Sequence, residues 1–203
     1  MFKLIKMCVF CFLAAFLVWF GTVLADRQTL NDDVIRFHVV ANSDSEADQT
    51  VKLQIRDAVN AYLQPILEEI PTAQEAKAWL EAHLQELKAV ADRVLTENGF
   101  YETTDVTLQK EAFTTREYDT FTMPAGVYDA LRITVGEGQG QNWWCVVFPA
   151  LCVSATTEGF EETASCAGFP AALTAALEGE EGYEIRFFLL DALGQFENFL
   201  HRD

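Results

Sequence analysis

Two apolar stripes of helical period, one directly after the other, constrain this chain more than any other feature. The first passes through Ala47, Val51, Ile55, Ala58, Val59, Tyr62, Leu63 and Ile66, the second through Ala76, Leu80, Leu84, Leu87, Ala91, Val94 and Leu95. That spacing gathers apolar side chains on one face of an α-helix. A capping box heads each stripe, Ser43 with Glu46 and Thr72 with Glu75, and Asp44 and Asp48 add negative charge where the helix dipole favours it. Pro65 is expected to kink or end the first helix near Gln64, and Asn98-Gly99 to end the second. Two consecutive amphipathic helices need a common surface to cover.

A sheet supplies it. Asp33 to Val40 contains VIRFHVV, rich in β-branched and aromatic residues; Asp105 to Phe113 alternates; Tyr128 to Val135 follows a turn at Pro124 to Gly126; and Asn142 to Phe148 reads as a fourth strand. Gly136, Gly138 and Gly140 are expected to make a hairpin between the last two strands. Tyr183 to Leu200 carries a third helical stripe through Ile185, Phe188, Leu189, Ala192, Leu193, Phe196, Phe199 and Leu200, weakened by Gly194. The fold class is therefore α+β: a single domain with a mixed or antiparallel four-stranded sheet, in the order β-α-α-β-β-β, covered by two long helices plus a C-terminal helix. Half of the 203 residues are apolar or aromatic, enough for a sizeable core.

The N-terminus adds a separate element. Lys3 and Lys6 precede an apolar run from about Met7 to Leu24, and Val23-Leu24-Ala25 leads into Asp26. Residues 1–25 thus read as a signal peptide, the small residues favouring cleavage after Ala25 over the alternative, a retained anchor of spanning length. Residues 26–153 form the α+β domain, 154–182 an acidic mobile loop with a short helix near Pro170 to Leu177, and 183–203 a C-terminal helix packing on the domain. The positive-inside rule puts everything after Asp26 outside the membrane. A net charge of −17 makes nucleic acid and anionic lipid poor partners, the leader apart.

No catalytic constellation, cofactor motif or metal site emerges. Asp44, Glu46 and Asp48 have the spacing of an EF-hand loop, but the sixth place holds Gln49 instead of glycine and the twelfth Ile55 instead of glutamate. GEGQG lacks the lysine and following helix of a phosphate loop. His38, inside a strand, is the obvious general base for a hydrolase, with a nearby carboxylate or Cys145. Outside a membrane Cys145, Cys152 and Cys166 can oxidise; Cys145 with Cys152 is the favoured disulfide, against three buried thiols. Trp143 and Trp144 must point to opposite faces of one strand. One belongs to the core, and the other is either an exposed anchor or covered by the C-terminal helix. Arg116 and Tyr118, on the connection between two strands, are residue types enriched in binding hot spots.

HVVANSDSEADQ with KLQIRDAV, MPAGVYDALRITVGEG and NWWCVVFPALC, in that order between about Val34 and Cys152, closely resemble the stage II sporulation protein R family. The resemblance returns weakly in EIRFFLLDALGQF. It implies a signal, not an enzyme, secreted from the forespore into the space between forespore and mother-cell membranes. There it would activate a membrane-embedded sporulation aspartic protease that cleaves the sigma E precursor. Asn42, Ser43, Asp44, Arg116, Tyr118, Trp143 and Trp144 are the expected partner-binding residues. The competing classes are a cell-wall-binding module using the tryptophans and a hydrolase acting between the membranes.

Overall fold

The computed structural model describes residues 2–151 and 159–201. Helix α1 (Phe2–Asp33) is a single rod of 32 residues, long and apolar enough over its first part to cross a membrane. It leads into β1 (Ile35–Val40), then α2 (Glu46–Leu67), α3 (Ala73–Ala82), α4 (Leu84–Glu97) and β2 (Thr104–Phe113). A small ribbon of β3 (Arg116–Glu117) and β4 (Thr122–Met123) follows, then β5 (Gly126–Val135) and β6 (Asn142–Phe148). Helices α5 (Phe160–Cys166), α6 (Ala171–Glu178) and α7 (Glu184–Leu200) complete the chain.

The four expected strands form one mixed sheet in the spatial order β2-β5-β1-β6, with β1 and β5 parallel and the other pairs antiparallel. Because β1 lies between β5 and β6, the glycine-rich connection is not the hairpin expected from sequence. It crosses over the end of β1.

Local chemistry explains the other boundary differences. Helix α2 starts later than expected, capped by Ser45, whose side chain accepts from the Asp48 amide, while Ser43 turns its hydroxyl to the Asp48 carboxylate. Pro65 sits in the last turn of α2, which continues to Leu67. Thr72 caps α3 as expected. The second long helix is in fact two, divided at His83, whose ring stacks on Trp79 and whose Nδ1 lies 2.7 Å from the Trp79 carbonyl. The stretch 154–182, expected as a loop with a short helix near Pro170 to Leu177, has that helix as α6 and in its described part a further one, α5.

Two apolar layers sandwich the sheet. Val51, Ile55, Val59 and Leu63 of α2 pack with Leu80, Leu87, Ala91 and Leu95 of α3 and α4 on Phe37, Val39, Leu131 and Ile133. The opposite face carries Phe113, Tyr128, Ala130 and Val146, under Val23 and Leu30 of α1, Phe160, Leu173 and Leu177 of α5 and α6, and Leu190 of α7. Two ion pairs lock α1 to α7. Arg186 Nε donates to Asp26 Oδ2 at 2.6 Å, and Arg27 engages Glu197 at 2.5 Å. Around Ala25 one side of α1 is therefore core, Val23 being fully buried and Asp26 and Arg27 each 3% exposed, while Leu24 and Ala25 face outward.

Candidate functional site

The second face of the sheet is only partly covered. Along it, strand alternation sets Thr107, Gln109 and Glu111 on β2, Ala130, Arg132 and Thr134 on β5, His38 on β1 and Trp144 on β6. The end near Phe113 and Tyr128 is buried. At the other end Thr107, Arg132 and Thr134 stay half-exposed although β5 is an interior strand, and Gln109 is exposed. A polar, open half-face results. The glycine-rich crossing bounds one end of it, where a Cβ on Gly138 would come within 2.4 Å of Thr134 Cγ2. Arg116 of β3 bounds the other.

Trp144 is the centre of this region. Its indole stacks flat on His38, with ring centroids 4.6 Å apart and planes 4° from parallel. Phe113 meets it edge-on at 5.2 Å, and the Arg116 guanidinium sits 4.8 Å from its ring. Beneath it, His38 Nε2 reaches across β5, above the small Ala130, to within 3.0 Å of Glu111 Oε2. Burial alone would raise the Glu111 pKa, but hydrogen bonds from His38 and Gln109 and the charges of His38 and Arg132 hold it below the usual glutamate value. Behind Arg116, Tyr118 stacks on Phe121 and accepts a hydrogen bond from Arg36 Nη2 at 2.9 Å. Arg116, Tyr118 and Trp144 thus share one neighbourhood, as parts of a layered stack of cations and rings.

The remaining expected contact residues go elsewhere. Trp143 lies on the helix-covered face, edge-on to Phe37 and beneath Arg56 of α2 at 4.9 Å. Each of the two tryptophans is therefore faced by an arginine, and Trp144 is half-buried on the core that the C-terminal helix also joins. Asn42, Ser43 and Asp44 secure the crossing: Asn42 Oδ1 accepts from the Glu137 amide at 3.0 Å, its carbonyl from the Gln139 amide at 3.1 Å, and Asp44 Oδ1 from the Gln141 amide at 2.8 Å. Glycine is required here, since a Cβ on Gly140 would lie 2.3 Å from the Ser43 carbonyl oxygen. Asn42 and Asp44 thus hold the loop in place by hydrogen bonds, and Ser43, whose hydroxyl goes to Asp48, packs its backbone against Gly140.

Chemically the region offers contact, with a limited provision for catalysis. His38 is 1% exposed, and among the described residues its Nδ1 has no hydrogen-bond partner, so no hydroxyl or thiol is poised against it as a nucleophile. Cys145 pairs with Phe37 on the adjoining rung, on the sheet face opposite His38, and is a buried free thiol. The disulfide expected from Cys145 is therefore not formed at its end; Cys152 lies outside the described residues. The sequence reading missed the Glu111, Arg132, Gln109 and Thr134 group. Its signal was present in the polar half of the alternation Tyr128, Ala130, Arg132, Thr134.

Taken together, a mixed four-stranded sheet with helices on both faces, a spanning-length N-terminal helix whose last turns join its core and a half-open face beside Trp144 define a single-domain α+β protein. The chain belongs to the stage II sporulation protein R family, whose sequence pattern matches residues 31–158. It is 34% identical over 178 residues to the stage II sporulation protein R of Bacillus subtilis (strain 168), covering 79% of this chain and 80% of that protein. No solved structure is similar to it.

Proposed function

We propose that this protein is an exported sporulation signal that activates a membrane-embedded aspartic protease across the intermembrane space, leading to cleavage of the sigma E precursor. Family membership carries the reading. The half-open face centred on Trp144 gives it a physical basis, because aromatic and arginine side chains at the rim of an open surface suit a protein partner. To activate the protease, the domain must bind its active arrangement more tightly than its inactive one. We place the contact on Arg116 and Trp144 with Arg132 and Gln109. Asn42, Ser43 and Asp44 act through the loop they secure, and Trp143 acts through the core.

The same reading extends to the N-terminus. The Ala25–Asp26 bond lies inside α1 with Val23, Asp26, Arg27 and Leu30 buried, so a peptidase that needs an extended substrate would have to unwind the helix and pull these residues out of the core, although Leu24 and Ala25 themselves are exposed. We favour a retained helix that tethers the domain to the outer surface of the membrane.

The test is co-expression of the full chain with the protease and the sigma E precursor in cells that do not sporulate. Cleavage only when both proteins are present, abolished by Arg116→Ala with Trp144→Ala in a folded chain, is the expected result. Absence of cleavage with a competent protease would overturn the function. Cleavage that survives the double substitution would overturn the assigned contact.

A further inference from the structure

Helix α7 turns most of its apolar stripe away from the body of the protein, Leu189 and Leu193 alone of that stripe packing, half-buried, on the second core. The side it turns to the body of the protein carries Arg186, Leu190 and Gly194, whereas Ile185, Phe188, Phe196, Phe199 and Leu200 are 68%, 66%, 60%, 66% and 57% exposed. With Ala192, also exposed, they form a continuous outward stripe. Three phenylalanines and two aliphatic residues exposed to this degree amount to about 600 Å², the upper end of what a monomer leaves bare.

We propose that a second copy of this chain covers the stripe, α7 pairing side by side with α7 about a two-fold axis. Three observations point to that occupant. The positions 185, 188, 192, 196 and 199 are separated by three, four, four and three residues, an average of about 3.5, the period of a seam between two helices wound together. A symmetric pair would bury about 1,200 Å² in all, which reaches the size of a specific interface. The stripe itself carries no charged residue in an otherwise strongly acidic protein; of the three acidic groups of α7, Glu184 is exposed and accepts from the Gly182 amide at 3.0 Å, and the other two are used in contacts to the body of the chain. Asp191 accepts from the Ala125 amide at 2.8 Å and from Thr115, and Glu197 is paired with Arg27.

The arrangement also suits a tether. Arg186 meets Thr22 and Asp26, and Glu197 meets Arg27 and Asn31, so α7 runs in the same direction as the end of α1. A two-fold axis along α7 leaves both α1 helices pointing the same way, into one bilayer. Self-complementary contacts of this kind close as a dimer and do not extend into a filament.

The full chain, carrying one fluorophore on a C-terminal tag, is reconstituted at low density in phosphatidylethanolamine–phosphatidylglycerol vesicles and its bleaching steps are counted. Two-step bleaching above the coincidence level is expected. It should fall to that level in Phe188→Asp with Phe196→Asp, and in Ala192→Arg, while Arg132→Ala leaves it unchanged. Because the substituted side chains are exposed, far-UV circular dichroism should stay native; if the double variant unfolds, Ala192→Arg decides. One-step bleaching of the unaltered chain would overturn the proposal, as would pairing that survives these changes, which would place the contact on α1. Quenching of Phe196→Trp by brominated lipid beyond that of the unaltered chain, whose Trp19 in α1 supplies the baseline, would overturn it in favour of lipid as the occupant. Protection of the stripe only when the protease is present would overturn it in favour of that partner.

Discussion

Two buried arginines solve the same problem differently, and their variants should diverge. Arg27 is surrounded by oxygen: Glu197, the Ala125 carbonyl at 2.9 Å and the Tyr128 hydroxyl at 3.1 Å. Arg36, fully buried, has one hydrogen bond, to Tyr118, and lies among the rings of Phe113, Tyr118 and Tyr128 at 4.6, 5.9 and 5.4 Å; among the described residues its Nε and Nη1 have no partner. Removing one member of a buried pair strands the other, so Arg27→Met should lower stability by about 3 kcal/mol. Arg36→Met strands no carboxylate and should cost at least about 2 kcal/mol less, as urea unfolding of both variants would show. Glu111 supplies a pH dependence. Its folded-state pKa lies below the ordinary value of 4.5, so its contribution is present above that value and is lost as pH falls through the folded one. Glu111→Gln should reduce the loss of stability on acidification through this range. Urea midpoints at neutral pH and below 4.5 would measure it.

At the scale of elements, the docking of α7 is the sensitive point. Gly194 looks in sequence like a weakness in a helix. In the structure it is where α7 closes on the β4–β5 turn, and a Cβ there would sit 1.6 Å from the Ala125 carbonyl oxygen. Gly194→Ala should therefore destabilise by about 1–3 kcal/mol from overpacking, despite the gain of about 1 kcal/mol in helix propensity. A thermal melt decides the sign. The junction of α1 with α7 makes a parallel case. Asp26 and Arg186 are 3% and 8% exposed at the side chain, so Arg186→Leu should cost about 3–5 kcal/mol by leaving Asp26 buried and unpaired. Hydrogen exchange should show the loss concentrated in α7.

For the whole molecule, the end of α1 joins what sequence divides into a leader and a domain. A chain beginning at Thr22 keeps Val23, Asp26, Arg27 and Leu30, whereas one beginning at Asn31 loses all four and with them one wall of the second core. The first should remain folded and protease-resistant, and the second should release α7 to limited proteolysis.

The sequence by itself determined the elements. Stripes with a period near 3.6 placed α2 and the α3–α4 segment, β-branched and aromatic runs between turn signals, with alternation in β2, placed the four strands, and Thr72 and Asn98-Gly99 marked helix ends, because each of these signals is local. The polar side of β5 was legible in the same way. Only the tertiary structure decided the order of the strands, since nothing in GEGQG records that β1 intervenes between β5 and β6. It also decided which side of α7 faces inward. An apolar stripe records only that a surface will be covered; in α7 the buried ion pair of Arg186 with Asp26 and the close approach at Gly194 outweigh that pattern and turn all of the stripe but Leu189 and Leu193 outward. The same long-range contacts gave Asn42, Ser43 and Asp44 their place at the crossing and put an arginine over each of Trp143 and Trp144, whose opposite faces strand alternation already required.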